Sequence, residues 1–366
     1  MIHMKERMIE FLLEFANPSI KRRVKKEVLG KLTYEDAELY QEQILREPII
    51  KRCLACQLDN GWFGYGFHGM GKNAKQFENQ ETCTKYLAEK AVDKNTPALR
   101  RSMEAFARIP LDDVCYGTRG LYIDEFKHAA GGHNLIRCAC IARAGYDDVI
   151  DITPQIELSL DSFKRVLEVD SVLDVSRPIQ NGKRRIFNDF EKWPCKYHLD
   201  ILAHTETWKT DENIKMLAAS ISKLMKTDRP ELFGWVPSIW IGHAVGPLGG
   251  FPSQGFHIKN AGLLPGQVIL QNEEPGTYHM EYIEWLARCG VAPHLPAVSE
   301  AVNDIMAAVD RDGGCHIPVL DGIFKGWGPY AGLQLETDWK SKTRKLCDIT
   351  FRALLILHYS DVGIRH

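Results

Sequence analysis

The apolar positions of this chain recur with a period near 3.6 residues in stretch after stretch, which predicts helices rather than strands. Four of these stretches repeat one another. The first runs Tyr86-Leu87-Ala88-Glu89, then Thr96-Pro97 and an amphipathic run to Phe106; the second runs Cys140-Ile141-Ala142-Arg143, then Thr153-Pro154 and a run to Phe163. The third runs Ile201-Leu202-Ala203-His204, then Thr210 and a run to Leu217; the fourth runs Trp285-Leu286-Ala287-Arg288, then Pro296 and a run to Ile305. Each unit reads as the end of an apolar helix, a short turn and the start of an amphipathic helix. Gly145 and Gly290 supply the left-handed residue that ends a helix cheaply. Thr96 and Thr153 are placed to cap the next helix, with Pro97 and Pro154 suited to its first turn. So short a turn makes the two helices antiparallel.

Between units the return connections are long and rich in Gly and aromatics: 59–77, 110–126, 170–194, 230–277 and 310–338. Short turns and long connections therefore alternate, which gathers the long segments at one end. Helix pairs of this kind bury their apolar faces by stacking on neighbours. The expectation is an all-α fold, an α/α toroid of about five to six antiparallel helix pairs. Its inner helices start near residues 79, 127, 195, 278 and 339. Leu346 to Tyr359 is apolar almost all round, as in a fully surrounded helix. Residues 1–33 form N-terminal helices that pack on the ring, the second starting at Asn17-Pro18 and able to complete a sixth pair. Residues 34–366 form the toroid domain, with 230–277 a long lid-like insertion.

Two long connections open with similar words, Gln57-Leu-Asp-Asn-Gly-Trp-Phe63 and Val309-Asp-Arg-Asp-Gly-Gly-Cys315. These resemble the QW-type repeats of the terpenoid cyclase and protein prenyltransferase superfamily, in which a Gln and a Gly-x-Trp element join outer to inner helices. The resemblance implies the α/α-toroid fold across nearly the whole chain and an apolar central cavity. Only the first copy carries both Gln and Trp; the second has Cys315 in the Trp position. The Asp-x-Asp-Asp acid of class II cyclases is missing, and so is a clear Asp, Cys and His zinc set, so the fold carries over and the chemistry does not.

Composition narrows the function classes. The chain has 366 residues, 45% of them hydrophobic, and a formal charge of −2, without the basic excess of a nucleic-acid binder. Glu6, Arg7, Glu10 and Glu14 interrupt the apolar N-terminus, which reads as an amphipathic helix rather than a signal peptide. No run of about 18 apolar residues provides an integral membrane segment. Ten Cys without a secretion signal read as reduced thiols in a cytoplasmic protein. The Cys53–Cys56 pair lacks a second pair at zinc-ribbon spacing. Gly66 to Lys72 has phosphate-loop spacing, but Asn73 replaces the hydroxyl residue and no strand pattern precedes it.

In a toroid the inner-helix starts face a shared cavity, and here they are polar: Glu81; Tyr197, His198 and Asp200; Tyr278, His279 and Glu281; Asp338 and Trp339. Two share the pattern Tyr-His-x-acid. His and shifted carboxylates suit acid–base catalysis, which makes Tyr197, His198, Asp200, Tyr278, His279, Glu281 and Asp338 the catalytic candidates. First-turn acids also suit the helix dipole without any function. Trp62, Phe63, His68, Trp193, Trp235, Trp240, Trp327, Tyr330 and Trp339 are the candidates to wall the cavity. The leading expectation is an enzyme acting on an isoprenoid-like or polycyclic small molecule, with no cofactor. A carbohydrate-active lyase or hydrolase and a non-catalytic scaffold are the alternatives. A fourth is a zinc enzyme using Asp312, Cys315 and His316. Oligomeric state has no signature in the sequence.

Overall fold

A computed structural model of the protein describes residues 2–64, 67, 77, 79–108, 132–170, 176–179, 184–187, 194, 196–224, 240–241, 280–319, 321–327 and 332–362. The described residues are overwhelmingly helical. Helix α1 spans Ile2–Phe15 and α2 Pro18–Arg23, the latter running on into a π turn at Val24–Val28; α3 spans Tyr34–Arg46 and α4 Pro48–Leu54. Five helices follow long connections: α5 (Gln80–Glu89), α7 (Gly132–Arg143), α9 (Lys196–Ala203), α11 (Met280–Arg288) and α14 (Lys342–Val362). Four follow short turns: α6 (Pro97–Arg108), α8 (Thr153–Glu168), α10 (Asp211–Leu224) and α12 (Pro296–Ala307). A short α13 covers Asp321–Phe324. The helix starts expected near 79, 195, 278 and 339 fall within three residues of those observed, and α2 begins at Pro18 with Asn17 capping it through Ile20 N–H.

Inner helices touch in chain order. α5 packs on α7, α7 on α9, α9 on α11 and α11 on α14. α14 in turn packs on α1 and on the π turn after α2. The helices that follow short turns pack on these: α6 against α5, α8 against α7 and α9, α10 against α8, and α12 against α11 and α14. Their facing sides form one core that includes Leu87, Phe106, Ile141, Phe163, Leu202, Trp285, Ile305 and Leu354. Residues 1–33 do more than pack on the outside, because α2 and its π turn place Arg23 and Glu27 among the charges of the inner helices.

The two similar words build the same turn. Gln57 bridges to Phe63 and Val309 to Cys315 as isolated antiparallel pairs. The internal bonds also match: Leu58 N–H to Trp62 O and Gly61 N–H to Leu58 O in one, Asp310 N–H to Gly314 O and Gly313 N–H to Asp310 O in the other. Gly61 and Gly313 both have φ of 91°, and a Cβ on either would collide with the backbone of a neighbouring helix, at Arg101 O of α6 and Arg7 O of α1. The first turn thus seats on α6 and the second on α1. Gln57 reinforces the first seat, donating to Ala98 O at the start of α6 at 2.7 Å.

Among the described residues, strand is limited to three short segments. β1 (Ser176–Ile179) pairs antiparallel with β2 (Arg184–Phe187), which pairs parallel with β3 (Trp240–Ile241). β3 lies inside 230–277, the expected lid, and the rest of that stretch is outside the described residues. Thr153 differs from expectation: it is the first helical residue of α8 rather than its cap, and Asp151 accepts its N–H instead. No described helix is long and apolar enough to cross a membrane.

Three of these helix ends share one motif. In α7 and α11 the third residue past the helix is bonded back across the last turn, Tyr146 N–H to Ile141 O and Val291 N–H to Leu286 O, around Gly145 and Gly290 at positive φ. α5 makes the same closure, Val92 N–H to Leu87 O, around Ala91 at φ 55°. An alanine in the left-handed region is strained by about 1 kcal/mol. Ala91→Gly is therefore expected to raise stability by about 0.5–1 kcal/mol in denaturant unfolding, whereas Gly313→Ala lowers it by more than about 1 kcal/mol through backbone collision.

Candidate functional site

The Leu/Ile-Ala repeat ends four helices on a polar side chain at the same place: Glu89 in α5, Arg143 in α7, His204 after α9 and Arg288 in α11. Helix geometry turns these positions inward, since the preceding apolar pair faces the core. They meet in a buried charge network. Glu89 accepts from Arg23 at 2.6 Å, from Arg352 of α14 at 2.7 Å and from Arg143 at 3.3 Å. Arg143 also reaches Asp200 Oδ1 of α9 at 3.0 Å and Glu281 of α11 at 3.5 Å. Arg352 bonds Glu284 of α11 at 3.0 Å; Glu284 pairs with Arg288, and Arg288 pairs with Glu27 at 2.9 Å. Glu27 returns to Arg23. Every inner helix contributes a charge.

Burial sets the electrostatics. It is the largest influence on Glu27, Glu89, Asp200 and Glu284 and pushes their carboxyls up, but the surrounding cations outweigh it and hold all four below the usual range. For Asp200 the opposing groups are Arg143, His204 and Lys85. These four are anions in the folded protein at neutral pH. Removing an arginine leaves the carboxylates it serves short of a cation in a site out of water.

A cavity of about 500 Å³ opens beside this network, lined by Arg23, Glu27, Glu89, Lys94, Arg143, His204, Lys209, Arg288 and Tyr359 among others. Its walls are the last turns of α5, α7, α9 and α11 with the turns that follow α5, α7 and α9, together with α2, its π turn and Tyr359 of α14. His204 sits in its wall with 11% of its side chain exposed. Its Nδ1 lies 3.0 Å from Asp200 Oδ1 and 2.8 Å from the Asp200 carbonyl oxygen. Both neighbours are acceptors, so Nδ1 carries a proton. Trp285 presents its ring edge-on to the imidazole at 6.4 Å between centroids. A carboxylate that fixes the tautomer of a cavity-facing histidine is the arrangement of a general base.

Of the expected catalytic residues, Asp200 belongs to this site through His204 and Arg143, and Glu281 joins through Arg143. Tyr197 is buried deeper and donates to Glu81, which also accepts from Lys85 at 2.8 Å. Lys85 lies 3.8 Å from Asp200 Oδ2, linking this pair to the network. His198 turns outward, its Nε2 3.4 Å from Ser162 Oγ of α8. Asp338 is half-buried and pairs with Arg344 at 2.6 Å, a local helix-start contact. Tyr278 and His279 lie outside the described residues.

The expected aromatic wall is packing where it is described. Trp62 and Phe63 are buried, Trp62 against Phe67 and Phe106 of α6. Trp327 packs on Tyr86 and donates to Gln334 O at 2.8 Å. Trp339 stacks on Phe324 and donates to Asp348 at 2.6 Å. Trp240 opens β3, and His68, Trp193, Trp235 and Tyr330 lie outside the described residues.

The zinc alternative separates too. Cys315 is buried, its thiol pushed up to about 11 by burial, while His316 is exposed and bonds Asp310 at 2.7 Å. Asp312 is exposed, its N–H donated to the same Asp310. Among the described residues no group of three or more His, Cys, Asp or Glu side chains is placed to hold a metal ion. Cys53 is buried, Cys56 donates to Arg52 O, and Gly66–Lys72 falls almost wholly outside the described residues. No protein-family model, curated protein or solved structure matches the chain.

Two predictions follow from the charges. Arg143→Met leaves Asp200 and Glu89 short of a partner and is expected to cost about 3–5 kcal/mol in equilibrium unfolding. The second concerns pH. Burial lifts the Glu336 carboxyl to about 7 and that of Asp348 to about 6. Between about pH 4 and 7 the folded chain thus binds protons that the unfolded chain has released, and stability falls as pH rises. The four depressed carboxyls act in the opposite sense: their contribution is complete above about pH 4.5 and is lost on acidification. Stability is expected to peak near about pH 5, and Glu336→Gln to flatten its decline from about pH 5 to 7 in urea titrations.

Proposed function

We propose that the protein is an α/α-toroid enzyme that transforms a polar, negatively charged small molecule by acid–base chemistry, with His204 as the proton carrier and Asp200 as its positioning partner. The observation that carries this reading is the Asp200–His204 pair opening on a cavity of about 500 Å³, a size suited to a metabolite-like ligand. The toroid is supported by the chain-order contacts of the inner helices and by the Glu89–Arg352 and Arg23–Glu89 bonds, which link the last and second helices back to α5. Twelve helices would then alternate, with α1 outside α14.

In the proposed reaction, Nε2 of His204 takes a proton from the substrate and the resulting imidazolium is stabilised by Asp200 through Nδ1–H. Arg143 keeps Asp200 ionised, so the carboxylate is available to stabilise that charge. The negative charge left on the substrate faces the Arg and Lys side chains of the cavity wall. Return of the proton to a different atom gives an isomerase; loss of a leaving group gives a lyase. A lining this rich in charge favours a polar ligand over the isoprenoid implied by the terpenoid-cyclase resemblance.

A non-catalytic binding role is the second reading, favoured by one observation: most cavity cations already have carboxylate partners, as in Arg22–Asp93 and Lys209–Glu206. Untargeted metabolite profiling separates the two. A cell extract incubated with the purified protein is expected to lose one compound and gain another, and His204→Asn should abolish that conversion with little change in melting temperature. An extract left unchanged by the wild-type protein, or converted equally by His204→Asn, refutes the catalytic reading.

A further inference from the structure

The Cys53–Cys56 pair at the end of α4 meets a third cysteine in space. Cys83, in the first turn of α5, donates its thiol to Phe77 O at 2.8 Å, and its Sγ lies within hydrogen-bond reach of the Cys53 thiol. Cys56 is near enough to Cys83 to act on it electrostatically. Cys53 and Cys83 are buried in the core, whereas Cys56 is half-buried and donates to Arg52 O at 3.3 Å. The three sulfurs thus run from the surface inward, with Cys53 the neighbour of both others.

One buried cysteine packs as a small apolar side chain and calls for no chemistry. An accessible thiol beside a second one differs, because oxidation of the first is resolved by the second as a disulfide. Here the spacing of three residues on α4 brings Cys53 beside Cys56, and the fold brings Cys83 beside Cys53. Burial, then the Cys53 thiol, pushes the Cys83 thiol well up, so Cys83 is protonated and is not the group that meets an oxidant. Positive charge lies at the same corner: the Arg52 guanidinium is 5.8 Å from the centroid of the Phe77 ring, whose residue accepts from Cys83. A cation of this kind favours the thiolate that reacts.

We propose that Cys53, Cys56 and Cys83 form a reversible oxidation site for a hydroperoxide, in which Cys56 reacts first and the product is a Cys53–Cys83 disulfide. The Cys56 thiolate attacks a peroxide oxygen, the O–O bond breaks, and one water leaves Cys56 as a sulfenic acid. The Cys53 thiol displaces the sulfenic hydroxyl as a second water, and the Cys53–Cys56 bond forms. Cys83 then attacks Cys53 Sγ; that bond breaks, Cys53–Cys83 forms, and Cys56 returns as a thiol with the proton that Cys83 gives up. One hydrogen peroxide is reduced to two waters and two thiols are oxidised to one disulfide. The product ties the end of α4 to the first turn of α5 across the connection that holds the Gln57–Phe63 turn. A dithiol reverses it by exchange.

The full chain is exposed to hydrogen peroxide, its remaining thiols are alkylated, and its peptides are mapped by mass spectrometry without reduction. A Cys53–Cys83 linkage is expected, removed by dithiothreitol and formed about tenfold more slowly in Cys56→Ala. Cys83→Ala is expected to stop at the Cys53–Cys56 linkage. Unaltered melting temperatures verify both folds, and the Cys56→Ala rate decides alone if the buried Cys83→Ala change unfolds the chain. Linkage at an undiminished rate in Cys56→Ala overturns the proposal. So does peroxide treatment of the wild-type chain that leaves Cys53 and Cys83 unlinked, whether Cys56 stays a thiol, becomes a sulfinic acid or remains bonded to Cys53. The site stands apart from His204, so none of these outcomes bears on the catalytic reading.

Discussion

A carboxylate removed from water must be matched by cations held in place, and Glu89 is matched by three arginines from three separate segments. Arg23 comes from the start of the chain, Arg143 from its middle and Arg352 from its last helix. No two of these are near in sequence, so the network forms only when the helices have assembled around α5. That makes the charges a specification of register more than a source of stability. A sliding or misplaced helix would bury a carboxylate without its guanidinium, an alternative that is several kcal/mol less favourable.

The same constraint prepares the site. His204 follows α9 by one residue, and its orientation depends on Asp200 one turn earlier, whose ionisation depends on Arg143 of the neighbouring helix. Structural and chemical roles are thus continuous: the arginine that ties α7 to α9 and α5 also keeps the imidazole's partner charged. Helix ends and the turns directly after them carry these groups, which in the proposed reaction would limit the reorganisation needed when charge develops on a substrate.

Much of the fold was legible in the sequence because its signals are local. Helix starts are marked by Pro18, Pro97, Pro154 and Pro296, helix ends by Gly145 and Gly290, and the spacing between them alternates short and long. The two glycine words proved to be one turn built twice, with Val309 in the place of Gln57 and Cys315 in that of Phe63, so that the residue matching Trp62 is Gly314 and not the expected Cys315. The site was half legible. Asp200 and Glu281 were readable as acids on inner helices, but Tyr-His-x-acid similarity drew attention to His198, one residue round the helix and facing α8. His204 was available by a different signal, its equivalence to Glu89, Arg143 and Arg288 after the Leu/Ile-Ala pair. Recognising that requires knowing that those positions converge, and convergence is a tertiary fact. Of the aromatics in the connections, Trp62 and Trp327 are buried in the core and Trp339 is half-buried against it.

The central claim, that α5 and α14 are joined through a buried Glu89–Arg352 contact, is tested most directly by a double-mutant cycle of Glu89→Gln and Arg352→Met in equilibrium unfolding. The account predicts strong non-additivity, with the double variant less destabilised than the sum of the singles by about 2 kcal/mol or more. Additivity within about 0.5 kcal/mol would contradict it.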